Sequence, residues 1–337
     1  MQRNLVSIAM LGLFGAAGCA NADVTIIGKL EGGYHWKKGA DGTVLTGIKD
    51  FGSEIDFSGS EDLGDGLKAF WQMNNNIHID GSQAGDTFAS GDTFVGLSGG
   101  FGAFKLGHGV NAYGDNYWGA NFYDLGDHGP DKGVGGVLGM GDAGGQKGAL
   151  KYETPKFGHF NAAVSWAAGE KGGSGTKAGN AWAIGANYEG ANYGLHAGYT
   201  RQDLVSGAVN AGHASDWVLA GKLTPLDGWT VGAEYNHSRL SPLATSIGAF
   251  VVPAERAPQH SLSLRTEYKP DRLALRASYT RTNHYGYDRN LHRTEYVLGS
   301  SYDLSKRTAL VVEYLNSKLS NASRASSELV VGLHTRF

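Results

Sequence analysis

The chain has 337 residues, with 53 glycines, 7 prolines, one cysteine and 11% aromatic side chains. Glycine at about one residue in six, against roughly 7% in average proteins, disfavours helices, whose interiors lose roughly 1 kcal/mol per glycine relative to alanine. A hydrophobic share of 41% excludes a disordered chain, and a net charge of −3 removes the simple case for nucleic-acid binding, which needs a basic face.

In chain order, the first element is a leader. Arg3 precedes an apolar run from Leu5 to Ala17 and an Ala20-Asn21-Ala22 site, which reads as a signal peptide over residues 1–22, cleaved before Asp23. The run is shorter than the roughly 20 residues of a membrane anchor. A competing lipoprotein reading, with Cys19 acylated after Ala16-Ala17-Gly18, lacks the leucine that usually opens such a box. Without the leader the chain keeps 28 basic and 32 acidic residues, a net of −4, and no cysteine. A chain exported through the periplasm without disulfides draws its stability from elsewhere.

After residue 22 no stretch approaches 18 consecutive apolar residues, so spanning helices are excluded. Period-2 alternation recurs instead. A first strand is read at Val24–Tyr34. Leu67, Ala69, Trp71 and Met73 then alternate with Lys68, Phe70, Gln72 and Asn74. Trp229, Val231, Ala233 and Tyr235 do so with Thr230, Gly232, Glu234 and Asn236. Leu273, Leu275, Ala277 and Tyr279 alternate with Arg272, Ala274, Arg276 and Ser278, and Val331, Leu333, Thr335 and Phe337 with Val330, Gly332, His334 and Arg336. Short turns at Glu61–Gly66, Gly99–Gly102, Pro155–Gly158, Glu189–Asn192, Thr224–Gly228, Lys269–Asp271 and Leu304–Lys306 alternate with longer polar segments near 37–48, 80–91, 169–180, 204–213, 241–257, 284–292 and 320–326. These breaks predict an all-β fold in one domain over 23–337: a 16-stranded antiparallel transmembrane β-barrel with short periplasmic turns and long external loops. Apolar faces that end in rings such as Trp71, Trp166, Trp182, Trp217, Tyr279 and Tyr314 suit a lipid–water boundary. A β-sandwich also alternates, but Lys29, Glu31, Arg265, Glu267, Arg276 and Glu313 lie well inside strands, where a dry sandwich core would not accept them. Closure requires the first strand to pair with Glu328–Phe337.

These residues resemble a family, the trimeric general porins of the Gram-negative outer membrane in their neisserial-type branch. The similarity begins at Asp23-Val24-Thr25-Ile26-Ile27-Gly28 and is strongest over Gly59–Gln72, which reads GSEDLGDGLKAFWQ. It runs on through Phe94–Gly102, Tyr152–Gly158 and Tyr302–Thr308 to Val331–Phe337. The resemblance implies sixteen strands per subunit, a homotrimer in outer-membrane lipid, passive diffusion of ions and small hydrophilic solutes, and reading of Phe337 by the barrel-assembly machinery. One departure stands out. Where such porins usually carry Gly-Arg after strand five, with the arginine in the basic pore wall, this chain has Gly107-His108, which would let part of the pore charge titrate near neutrality.

The segment 109–147 is far longer than the other loops and combines Tyr113, Tyr117, Trp118, Phe122 and Tyr123 with Asp115, Asp124, Asp127, Asp131 and Asp142. In the family the third loop folds into the barrel and narrows the pore. Strand parity places Lys29, Lys68, Lys105, Arg265 and Arg276 on the lumen side. Acidic groups (Asp115, Asp124, Asp127, Asp131) opposite this basic wall would set up a transverse field that favours polar solutes. Asp115, Asp124 and Asp127 facing Lys29, Lys68 and Lys105 are the leading candidates.

Other chemistry finds little footing. Gly133–Gly148 has no GK[ST] ending, the twelve histidines show no HExxH spacing, and no G-x-S-x-G elbow is present, so no cofactor, metal or catalytic residue is assigned. The alternatives are a substrate-specific channel, an outer-membrane barrel enzyme such as a lipid hydrolase, and a plugged structural barrel.

Overall fold

The computed structural model describes residues 23–82, 88–115, 148–169, 176–206, 209–241, 246–247, 250–251 and 255–337. No helix among them is long and apolar enough to cross a membrane; the crossing elements are strands. In chain order these are β1 Asp23–Lys38, β2 Val44–Asp50, β3 Glu54–Gly64, β4 Leu67–Asn76, β5 Thr93–Gly99, β6 Gly102–His108, β7 Ala149–Glu153, β8 Phe160–Ala167, β9 Thr176–Glu189, β10 Tyr193–Ser206, β11 Val209–Leu226, β12 Trp229–Leu240, β15 Gln259–Tyr268, β16 Leu273–Asn283, β17 His292–Asp303, β18 Thr308–Leu319 and β19 Ser326–Arg336. The pairs β13 Ser246–Ile247 and β14 Phe250–Val251 form a separate two-stranded ribbon, and α1 spans Ala112–Asp115.

The seventeen segments of the main sheet make sixteen barrel strands, all antiparallel to their neighbours. β1 pairs with β2 through Gly32–Lys38 and with β3 through Asp23–Lys29, so β2 and β3 are one strand interrupted at Phe51–Ser53. The interruption is held rather than frayed. Gly52 takes φ +107°, which favours glycine, while the Phe51 amide donates to the Glu31 carbonyl (2.9 Å) and the Glu31 amide to Ser53 Oγ (2.9 Å). The sheet closes where β1 meets β19, from Lys29 against Arg336 to Lys38 against Ser327. One more rung joins Gly28 and Phe337, each amide donating to the other's carbonyl at 3.1 and 3.0 Å. A Cβ on Gly28 would lie 2.5 Å from the Phe337 ring, so glycine is what lets the terminal aromatic lie across the seam. Closure pairs the backbone groups that hydrocarbon would otherwise leave unsatisfied.

The burial pattern is inverted relative to a soluble protein. Leu264, Leu275, Leu298 and Val331 are 47, 49, 58 and 47% exposed, whereas their polar neighbours Arg265, Arg276 and Glu313 are 6, 7 and 0% exposed. Alternation therefore sends the apolar face outward. Two aromatic bands ring it. One, toward the short turns, holds Tyr188, Tyr193, Trp229, Tyr268 and Tyr302; the other holds Trp166, Trp182, Tyr199, Trp217, Tyr235, Tyr279, Tyr296 and Tyr314. Such rings suit the two lipid–water boundaries.

The seven short turns lie where alternation and glycine place them. Three longer segments do not. Residues 44–48 of the expected loop 37–48 lie in β2 and continue the β1 ladder; residues 176–180 belong to β9; and β10 and β11 run to Ser206 and from Val209, leaving two residues where 204–213 was expected to loop. Polar residues read as loop can still ladder where a strand rises out of lipid into water.

The connection after β4 returns over the end of β2. The Asp80 carboxylate accepts bonds from Ser82 Oγ (2.6 Å), the Ser82 amide (2.9 Å) and the Asp50 amide (3.1 Å). These bonds, the Ser82 hydroxyl first, lower its pKa to about 2. A depressed carboxylate stabilises the fold above the ordinary aspartate range and loses that contribution as pH falls toward about 2. Hydrogen-exchange protection of the Asp50 and Ser82 amides, relative to their intrinsic rates, should therefore fall over that interval in the wild type, and should already be low at neutral pH in Asp80→Ala. Equal protection in the two proteins at neutral pH would refute the tether.

Candidate pore-lining site

The inward face of the barrel is divided into two sectors. Over β8–β11 much of it is built of small neutral groups, Ala163, Ala167, Ala181, Ala183, Gly198 and Val218, with the polar His196 and Asp216 set among them. Against this wall the chain leaving β6 turns inward. Val110, Asn111, Ala112 and Tyr113 are all buried, with the Ala112 amide donating to Ser165 Oγ (3.0 Å). The Tyr113 hydroxyl donates to Asp216 Oδ1 (2.9 Å) and accepts from Asn236 Nδ2 (3.0 Å), while Asn236 also reaches Asp216 at 2.6 Å. A Cβ on Gly198 would stand 2.9 Å from the Tyr113 ring, so that glycine makes the seat for the tyrosine. The described start of the 109–147 segment, through Tyr113, thus enters the barrel.

The other sector, over β12 and β15–β19 and on through β1 and β3, is charged, and its charges are paired. Arg265 joins Glu234, both almost fully buried. Arg276 Nε donates to Glu267 (2.6 Å) and its Nη1 to Ser301 Oγ (3.2 Å). Lys29 lies 3.5 Å from both Glu31 and Glu54. His334 is 3.1 Å from Glu31, and His35 and Lys37 share Glu328 at 2.5 and 3.5 Å. At the root of the inturned segment Lys105 and Lys151 share Glu153, at 2.9 and 2.7 Å, and Lys105 also stands 5.0 Å over the Phe94 ring.

Of the basic residues read from sequence, Lys29, Lys105, Arg265 and Arg276 all share the inward face and all sit beside a carboxylate. Lys68 shares that face by register but pairs in the ladder with Asp62, immediately beside the turn at Asp65-Gly66, and is exposed. The inturned segment docks on β8–β12; in the sixteen-strand ring β1, with Lys29, lies across from β10, whereas Arg265 on β15 sits next to β12 at the edge of the dock, with Arg276 one strand further on. Asp115 closes α1, and only its backbone is described. Asp124, Asp127 and Asp131 lie outside the described residues. His108 is a correction: it pairs with Thr93, so alternation puts it on the outward face of Phe104 and Leu106 rather than among the lumen charges. Sequence reasoning did not single out Lys151, fully buried, or the carboxylates Glu54, Glu153 and Glu234. Their signal was the inward parity already used for the cations.

The description of the Gram-negative porins matches residues 7–322. The chain belongs to the Gram-negative porin family. Relatives include the major outer membrane protein P.IB of Neisseria lactamica, 27% identical over 362 residues and all of both chains, and that of Neisseria gonorrhoeae, 29% identical over 336 residues, with 93% and 92% covered. Among solved structures, an anion-selective porin from Comamonas acidovorans superposes with a TM-score of 0.81 at 20% identity, covering 94% of this chain and all of that one. OmpF of Salmonella typhi superposes at 0.72 with 15% identity, covering 94% and 98%. This porin is therefore an outer-membrane channel for passive diffusion, and its closed antiparallel barrel of sixteen strands is the family's fold.

Proposed function

We propose that this porin passes ions and small hydrophilic solutes through a water-filled lumen with weak cation preference, set by the acidic 109–147 segment against a basic wall that is itself nearly neutralised. The observation that carries the reading is the pairing of the wall. Arg265, Arg276, Lys29, Lys105 and Lys151 each have a carboxylate within ion-pair distance, so their field at the pore centre is that of dipoles and falls off steeply. Asp115, Asp124, Asp127 and Asp131, in a segment whose sequence has only Lys132 and Lys147 against them, then dominate.

Screening at physiological salt acts over about 8 Å, so the preference weakens with salt. In planar bilayers under a potassium chloride gradient, the reversal potential of the purified protein should carry the sign of cation preference. Asp124→Asn should move it toward zero, and Lys29→Gln further from zero. If neither moved it, the assignment of the constriction would be wrong. Silent bilayers with esterase activity would favour a barrel enzyme. The homotrimer, the leader over residues 1–22 and recognition of Phe337 by the barrel-assembly machinery rest on the family resemblance and sequence pattern. Exposure of the Phe337 ring at the seam supports its being read there.

A further inference from the structure

At the short-turn mouth of the lumen lies a cavity of about 370 Å³ that the constriction does not use. Strand ends of β15–β19 converge on it: Glu267, Lys269, Arg276, Asp303, Lys306, Arg307, His334 and Arg336 reach its wall. Five cations meet two carboxylates. Both carboxylates are spoken for, Glu267 by Arg276 at 2.6 Å and Asp303 by Lys269 at 2.8 Å. Arg336 Nε is engaged with His334 at 3.0 Å. Lys306 and Arg307 form no ion pair among the described residues. They are held in place by backbone: the Arg336 amide donates to the Arg307 carbonyl (2.8 Å), and Ser305 Oγ accepts from the Arg307 and Thr308 amides, both at 3.1 Å.

We propose that this cavity is a binding site for a small multivalent oxyanion of the phosphate class, positioned at the pore's short-turn entrance. Excess positive charge in a concave, polar and partly shielded space favours an anion of more than one charge over chloride. A guanidinium offers a planar fork that matches two phosphate oxygens, and a neighbouring ammonium supplies a point charge beside it. The site lies apart from the inturned 109–113 segment, so binding there slows an anion at the mouth without altering the dock.

The test is single-channel recording on the full-length protein in potassium chloride, with inorganic phosphate added to one compartment at a time. Phosphate should reduce the current in a concentration-dependent way, more strongly from one side. Arg307→Gln with Lys306→Gln should weaken the apparent affinity by about tenfold or more, since the loss of even one charge-assisted hydrogen bond carries that change. Lys156→Gln, which removes an exposed cation from another turn at the same end, should leave the phosphate effect as it was. A phosphate block unchanged in the double variant, or no block in the wild type, would overturn the site. The potassium chloride conductance itself reports separately whether the pore is open, so failure of the anion site and failure of the channel are distinguishable.

Discussion

Tyr113→Ala should raise the single-channel conductance of this porin, because it removes the side chain that pins the inturned segment to the barrel wall. The ring is fully buried among Ala112, Ala163, Ala183 and Val218, and its hydroxyl completes a three-way contact with Asp216 and Asn236. Removing a buried aromatic costs about 3–5 kcal/mol. Losing the hydroxyl as well leaves two inward polar groups short of a partner. The ladders that hold the barrel do not pass through Tyr113, so the loss falls on the dock. Tyr113→Phe keeps the packing and should give a smaller rise. Gly198→Leu attacks the same seat from the opposite side by filling the space over which the ring lies. Planar-bilayer conductance in all three variants checks the idea, and a wild-type value in each would refute it.

A second large effect tests the direction of the faces. Leu264 and Arg265 are adjacent in the middle of β15 and point opposite ways. Leu264→Arg places a charge in the lipid band and should destabilise the folded barrel by about 2–4 kcal/mol, the cost of arginine near the bilayer midplane. Arg265→Leu acts differently. It strips the partner from a buried Glu234, a loss of about 3–5 kcal/mol, and Arg265→Leu with Glu234→Leu should recover most of it because no lone charge remains. Urea unfolding followed by the mobility shift of folded barrel on unheated gels reads both. Rescue of one neighbour by its partner's removal, with full cost at the other, is the expected contrast; a harmless Leu264→Arg would invert the face assignment.

The barrel was legible in the sequence because its evidence is local. Leu273–Ser278 alternates so regularly that the face of each residue follows from parity alone, and the structure keeps Arg276 inward and Leu275 outward. The same rule located the wall cations. It did not locate their partners' importance, since whether Glu153, which shares β7 with Lys151, also meets Lys105 depends on the register between β6 and β7. The docking of Tyr113 on Asp216 joins positions 103 residues apart and leaves no local trace. Val44–Ile48 was read as loop because its polar and glycine content resembles one; only the partner strand β1 makes it a strand. His108 was misplaced because a motif was weighed above the two-residue period that contradicts it.

The joint between residues 28 and 337 has a consequence for biogenesis. Nearly every rung elsewhere links strands that are consecutive in the chain, so hairpins can zip together as they emerge. The rungs between β1 and β19 form only when the two margins of the sheet meet. Until then both margins of the sheet expose unpaired amides and carbonyls, a template for sticking to another copy. An intermediate in which β1 and β19 have not yet met is thus safe only while something else covers those two margins.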